Sequence, residues 1–381
     1  MNKHTNRLAA RLARRLCALF LLPASIVASA PSAHAADWPL ARGDAKASGV
    51  STEVLPNNLE LLWKFEAGKD GTFEATAVIA DGVVYVGSFD GNLYAIDLAT
   101  GNKKWAFKTD LGFSAGAAVR DGRIIAGDAD GKVYCLDTDG ILTWTFEAGG
   151  EINGGPNFYK DQVLIGSQNA TLYWLNAADG KKVMEYKIAD QIRSLPTVVE
   201  NRAFLAGCDG KLHIINLDDA SKIATVEIKS PTGCTPAVLG DRVFFGTEGS
   251  TFLGIDWRKA EVAWEFPSVR QQAYRASAAA TENAIIIGGR DKQVVALDPK
   301  SGSEIWRFEA RHRVDSSPVV SGNRVYFGSA DGRLTALDTK TGEKVWEYEA
   351  GGQFNASPAI SNGRLVIGNN DGTLYCFGAK K

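Results

Sequence analysis

One unit recurs eight times along this chain at a spacing of about forty residues, and that period constrains the fold more than any other feature. Its clearest copy reads RVYFGSADGRLTALDTKTGEKVW, residues 324–346. Each copy alternates apolar and polar residues in short runs bounded by Gly, Asp and Asn, the pattern of half-buried strands joined by tight turns. In the seventh copy the runs cover residues 318–320, 325–328, 334–337 and 345–348. Gly332 supplies the positive φ that the middle hairpin needs, and the Asp338 carboxylate can cap the N–H groups of the following turn. Long helical periods are absent. Four strands per copy at this spacing predict a radial repeat.

Two independent columns give the same count. The small residue closing the second strand is Gly87, Gly127, Gly166, Ala206, Gly246, Gly288, Gly328 and Gly368, with spacings of 40, 39, 40, 40, 42, 40 and 40. The fourth-strand column is Trp63, Trp105, Trp144, Met184, Ala224, Trp264, Trp306 and Trp346. The columns are out of phase at the ends. Residues 61–65 form a fourth strand with nothing before it, and the last copy, 358–377, has three strands and no fourth. The expectation is an all-β fold: a single eight-bladed β-propeller of four-stranded antiparallel blades, its ring closed by the N-terminal strand joining the last blade. Closure removes the sheet edges an open array would expose. The third and fourth copies are the divergent ones, with Met184 and Ala224 in place of Trp and Asn176 and Asn216 in place of Asp.

The expected division is a signal peptide over residues 1–35, a lead-in over 36–58 and the propeller over 59–381. Arg7, Arg11, Arg14 and Arg15 precede an apolar run, 16–30, too short to span a bilayer comfortably. Ala33-His34-Ala35 offers a cleavage site, so the exported chain is expected to begin near Ala36. Cys17 opens the apolar run, whereas a lipidated cysteine would close it, so the reading is a periplasmic protein without a lipid anchor. Removing residues 1–35 takes away five basic and no acidic residues, leaving 37 against 44 and a net charge of −7. That balance argues against nucleic acid or an anionic membrane surface as partner. No later stretch predicts a transmembrane helix. Cys135, Cys208, Cys234 and Cys376 read as buried free thiols, with a Cys208–Cys234 disulfide as the alternative for an oxidising compartment.

The residues around each fourth strand carry a resemblance. The stretches 95–105, 296–306 and 336–346 resemble the tryptophan-docking repeat of the quinoprotein, or PQQ-like, β-propellers, across about residues 59–378. WD repeats differ, because there the strand ends in Trp-Asp. The lead-in, with Trp38, Pro39, Arg42, Gly43, Asp44, Gly49 and Val50, is similar to the start of exported members. The resemblance implies that Trp63, Trp105, Trp144, Trp264, Trp306 and Trp346 pack between blades as structure. Trp174 and Trp257 fall outside this series, and Trp257, in a turn, is a candidate exposed contact. The family divides into pyrroloquinoline-quinone dehydrogenases and a non-enzymatic branch related to the β-propeller lipoprotein of outer-membrane protein assembly.

First strands of a propeller line its channel, which locates a candidate site. Glu74, Ser114, Asn153, Arg193, Gly233, Arg275, Asp315 and Asn355 form one column at the approach to those strands. The residues just before them, including Phe73, Phe113, Tyr274 and Phe354, are mostly bulky and apolar. Binding candidates are therefore Glu74, Asn153, Arg193, Arg275, Asp315, Asn355, Tyr274 and Phe354, a polar ring rimmed by aromatics at one channel mouth. The competing reading is a wet channel whose unlike charges neutralise one another. Neither catalytic residues nor metal ligands stand out: His213 and His312 are isolated, and no His-Glu-x-x-His, phosphate loop or Gly-x-Ser-x-Gly turn occurs.

Taken with the resemblance, these residues predict a non-catalytic exported scaffold, monomeric, binding a cell-envelope protein or a small ligand, and carrying no cofactor. The alternative is a small dehydrogenase holding PQQ and Ca²⁺ through Glu74, Asn153 and Asp315 with Arg275 orienting it. Short loops and the lack of a vicinal Cys-Cys pair weigh against that alternative.

Overall fold

The computed structural model describes residues 37–380, so the leader and its cleavage site lie outside the described residues. Eight four-stranded antiparallel sheets are arranged as predicted, with no helix among the described residues. Blade 1 comprises Val78–Ala80, Val83–Gly87, Asn92–Asp97 and Lys103–Lys108. The last blade comprises Ala359–Ser361, Arg364–Gly368 and Thr373–Gly378, and its fourth strand is Glu60–Glu66, antiparallel to Thr373–Gly378 with Leu61 opposite Phe377 and Phe65 opposite Leu374. The ring is closed by the strand that the repeat phase left unpaired.

The middle strands of each blade are buried on both faces, and the outer strands alternate between exposed and half-buried positions. In all eight blades the outer hairpin carries a register shift just before the docking position, as between Ala95 and Ile96 opposite Trp105. Such a bulge re-aims the side chain beside it. Each docking indole then donates from Nε1 to a carbonyl in the next blade's outer turn: Trp63 to Leu98, Trp105 to Thr138, Trp144 to Ala177, Trp264 to Pro299, Trp306 to Thr339 and Trp346 to Leu59, at 2.8–3.2 Å. The ring covers a glycine there. A Cβ on Gly101 would lie 2.7 Å from Trp63, and Gly101 also holds φ at +76°, so only glycine fits on both counts.

The lead-in is the unexpected element. Residues 37–53 make a full circuit around the axis, bonding to every blade in turn. Trp38 and Ile79 exchange backbone bonds of 2.8–2.9 Å; Val119 N–H donates to Pro39, Asn157 Nδ2 and Val198 N–H to Ala45, Val238 N–H to Lys46, Ala280 N–H to Ser48 and Val320 N–H to Gly49. Val50–Ser51 then pairs in parallel with Val320 and Ser321 of the seventh blade, and Glu53 accepts from Asn362 and Gly363 N–H in the eighth. This strap stops one end of the channel and leaves the other end, at the candidate ring, as its mouth.

Candidate functional site

The structure separates the two candidate columns. Strand alternation turns the polar column toward the axis, while the residue before it points sideways into the blade interface. Tyr274 and Phe354 are consequently not part of a mouth rim. They are 3 % and 0 % exposed, as buried as Phe73, Phe113, Ile152, Ile192 and Val314. Each packs on the small residue closing the second strand of the preceding blade. A Cβ on Gly246 would stand 2.1 Å from the Tyr274 side chain, and one on Gly328 2.3 Å from Phe354. The glycine column is small because the next blade's apolar residue leans on it.

Across the mouth, charges are largely tied down, most of them between blades. Arg275 grips Glu248 of the preceding blade through Nε–Oε1 at 2.9 Å and a second bond of 3.3 Å. Asp315 accepts a two-point contact from Arg290 of the preceding blade, at 2.9 and 3.0 Å, and a third bond from Arg313 at 3.0 Å. Glu74 accepts from Asn370 Nδ2 at 3.1 Å across the closure seam. In all three cases the partner is the second residue after the glycine column, so the clasps are one device repeated at three interfaces. Asn153 donates to Glu151 at 2.7 Å and to Ser114 at 3.2 Å, and Gln168 donates to both Glu151 and Asn153. Asn355 buries an Oδ1 with no partner among the described residues. Arg193 differs: its guanidinium reaches only the Gln191 side-chain amide, with no carboxylate in ion-pair range among the described residues. Bidentate Arg–carboxylate pairs of this kind act mainly as geometric fasteners.

Inside the mouth the channel is a cavity of about 120 Å³, floored by Ala41 and Arg42 of the strap and lined by Glu74, Ser114, Asn153 and Arg193. Small-molecule sites start at about 300 Å³. The residues do not fit PQQ with Ca²⁺: Asp315 and Arg275 are already paired, Glu74 is bonded to Asn370, and the strap occupies the axis. Among the described residues no three His, Cys, Asp or Glu side chains converge as metal ligands.

Six further residues settle. Trp257 is 6 % exposed and donates Nε1 to Gly240 at 3.0 Å. It is no exposed anchor: it packs on Phe204 of the fourth blade, in the cluster that includes Ala224 and Ala260. The indole thus shares a cluster with Ala224, the fourth-strand position that carries no docking Trp. Cys135, Cys208, Cys234 and Cys376 are free thiols, so the alternative disulfide does not form. His213 is buried, with Nε2 2.9 Å from Asp209 and Nδ1 3.2 Å from the Tyr186 hydroxyl. Sequence reasoning missed the strap's Arg42 and a second axial column of hydroxyls, Thr76, Thr235, Ser277, Ser317 and Ser357. The signal was present, since Thr235, Ser277, Ser317 and Ser357 recur at spacings of 42, 40 and 40.

A closed ring of eight four-stranded blades, latched by its own N-terminal strand and by indoles docked on neighbouring turns, defines an eight-bladed β-propeller of the tryptophan-docking class. Residues 52–194, 129–265, 191–307 and 271–381 each match the family described as outer membrane protein assembly factor BamB, and the chain belongs to that family. Curated relatives include the outer membrane protein assembly factor BamB of Moranella endobia, 27% identical over 156 residues (38% of this chain, 40% of that protein). The Escherichia coli protein of the same name is 25% identical over 152 residues, 37% and 38% of the two chains. The alignments thus span about two fifths of those relatives. Among solved structures, BamB from Moraxella catarrhalis superposes with a TM-score of 0.71 at 18% identity, covering 85% of this chain and 98% of that one. Quinohemoprotein alcohol dehydrogenase from Comamonas testosteroni gives 0.76 at 15% identity, covering 91% and 81%. At these identities both structural likenesses concern the fold alone.

Proposed function

We propose that this chain is a non-catalytic, exported β-propeller that serves as a protein-binding scaffold in outer-membrane protein assembly, docking through its mouth face. The observation that carries the reading is the family match running from residue 52 to the C-terminus. The site supports it: charges are committed to clasps between blades, and the channel is stopped by the strap, which suits a rigid platform better than a cofactor pocket. On the mouth face Phe89, Leu111 and Val269 remain 41 %, 46 % and 62 % exposed. Apolar side chains among polar neighbours, with an arginine that has no countercharge among the described residues, make a contact surface in which Arg193 is the natural anchor. Among the described residues no helix is long and apolar enough to cross a membrane, and the basic, apolar leader supports export to the periplasm.

The test is cross-linking in the cell envelope with the tagged full-length chain. The native protein should recover components of outer-membrane protein assembly. The Arg193→Ala/Phe89→Ala/Leu111→Ala variant should recover at least about tenfold less, as expected when interface anchors are truncated, with an unchanged circular dichroism spectrum. Undiminished recovery by the folded variant would reject the mouth face. Absence of assembly proteins from the native sample would reject the scaffold role.

A further inference from the structure

The cavity behind the mouth has an excess of hydrogen-bond donors. Its wall carries the second axial column, two residues on from the mouth ring: Thr76, Thr235, Ser277, Ser317 and Ser357. Four of these hydroxyls are linked head to tail around the axis. Leu195 N–H donates to Thr235 Oγ1 at 3.2 Å, Thr235 N–H to Ser277 Oγ at 2.9 Å, Ser277 N–H to Ser317 Oγ at 2.9 Å and Ser317 N–H to Ser357 Oγ at 3.0 Å. Each oxygen is engaged as an acceptor, and among the described residues none of the four donates to a protein atom. Their protons are left for whatever fills the cavity.

The floor adds a cation. Arg42 is 4 % exposed and gives its guanidinium protons to the carbonyls of Ala278, Pro318 and Ser317, at 2.9, 2.8 and 3.4 Å. Those acceptors are neutral, and its Nε–H has none among the described residues. No carboxylate lies within ion-pair distance of it among the described residues. Asp44, two residues on, is occupied by the N–H and hydroxyl of Ser48. Burial lowers the Arg42 pKa to about 10, partly offset by the charge of Asp44. A buried charge is costly unless something of opposite sign completes it. Arg193 stands above the same space, and the one carboxylate lining it, Glu74, is bonded to Asn370.

We propose that this cavity binds one small oxyanion of the phosphate or sulfate class, held by Arg42 and the hydroxyl protons of Thr235, Ser277, Ser317 and Ser357 and admitted past Arg193. Size agrees with the chemistry. A volume of about 120 Å³ leaves room for a tetrahedral anion and residual solvent. Nucleotides and quinone cofactors are too large. Charge-assisted bonds from one guanidinium and several hydroxyls suit such an ion. Binding would tie the strap to blades five to eight, because the ligand touches both.

The experiment is equilibrium dialysis of the folded, full chain against radiolabelled sulfate and, separately, phosphate. One saturable site per chain is expected. Gly233 stands at the open mouth, where an added Cβ meets only Arg193 Cβ at 3.6 Å. Gly233→Asp therefore sets a carboxylate beside Arg193 without disturbing the fold, and should weaken binding at least about tenfold. Arg42→Met should abolish it; if that variant does not fold, the Gly233→Asp comparison still decides. Sulfate should also raise the thermal midpoint of the native chain more than that of Gly233→Asp, the general salting effect being common to both. Absence of saturable binding of either ion, or equal binding by Gly233→Asp, would overturn the proposal.

Discussion

Trp174 lies directly across its strand pair from Met184, and the arrangement is the reverse of Ala95 opposite Trp105. Elsewhere a small residue faces each docking indole: Cys135 faces Trp144, Gly254 faces Trp264, and Cys376 faces Trp63. In the fourth blade Ile214 faces Ala224. Close packing is met differently in these two blades: the third carries its indole on the third strand, and the fourth carries none at either position. The receiving turn changes too. Ala220 and Ala260, at φ of +56° and +55°, replace the glycine that an indole would cover.

This pairing predicts non-additive energetics. Met184→Trp alone should destabilise the ring by about 2–3 kcal/mol, because Trp174 and the Ala220 methyl occupy the space. Adding Trp174→Ala and Ala220→Gly should recover most of that loss. Urea unfolding of the single and triple variants measures it; additive losses would show that the positions are not coupled. By comparison Trp306→Ala, which empties an occupied slot, should cost about 3–5 kcal/mol.

The closure strand gives a second outcome. Removing residues 37–66 exposes the long edge Thr373–Gly378 and deprives every blade of its bond to the strap. The truncated chain is expected to aggregate or lose its cooperative transition. A monomeric truncation with native-like thermal unfolding would show that the latch is dispensable.

Protonation should be felt at His213. Burial lowers its pKa below the ordinary 6.5, against the opposing pull of Asp209, with Lys211 and Lys222 adding to the lowering; Tyr186 also contacts the ring. The folded state therefore holds the proton more weakly than the unfolded chain. Stability contributed by the neutral imidazole is present above pH 6.5 and falls as pH drops from there through the folded value. His213→Tyr restores the residue found at Tyr94, Tyr134 and Tyr173. Its thermal midpoint should vary less between neutral and mildly acidic pH than that of the native protein; identical profiles would remove His213 as the source.

Thiol reactivity is the fourth. Burial pushes the Cys234 and Cys376 pKa up to about 12 and raises that of Cys135. Only Cys208 among the described cysteines is partly exposed. Alkylation of the native chain at neutral pH should mark Cys208 slowly and leave the other three for the unfolded state. Mass spectrometry before and after denaturant reads this out, and early labelling of Cys376 would contradict its placement beneath Trp63.

Much of this architecture was legible in the residues. The spacing of Gly87 to Gly368 counted the blades, and the phase of Trp63 against the last copy located the latch. The candidate ring was legible only as a column. Spacing says that Glu74 and Arg275 occupy equivalent places, but the partners they take, Asn370 and Glu248, lie in other blades and are set by how neighbouring wedges meet. The same limit misplaced Tyr274 and Phe354, because a period does not say which side of a strand faces the axis.

The sequence by itself determined the number of blades, their strand order and the ring's closure, since these follow from local alternation, turn chemistry and one repeated length. Tertiary structure decided what the axis contains. The circuit of the strap and the burial of Arg42, with no countercharge in ion-pair range among the described residues, depend on groups brought together only when the circle shuts. Contacts among residues hundreds of positions apart leave no trace in local periodicity, because nothing in a short window of chain is needed to satisfy them.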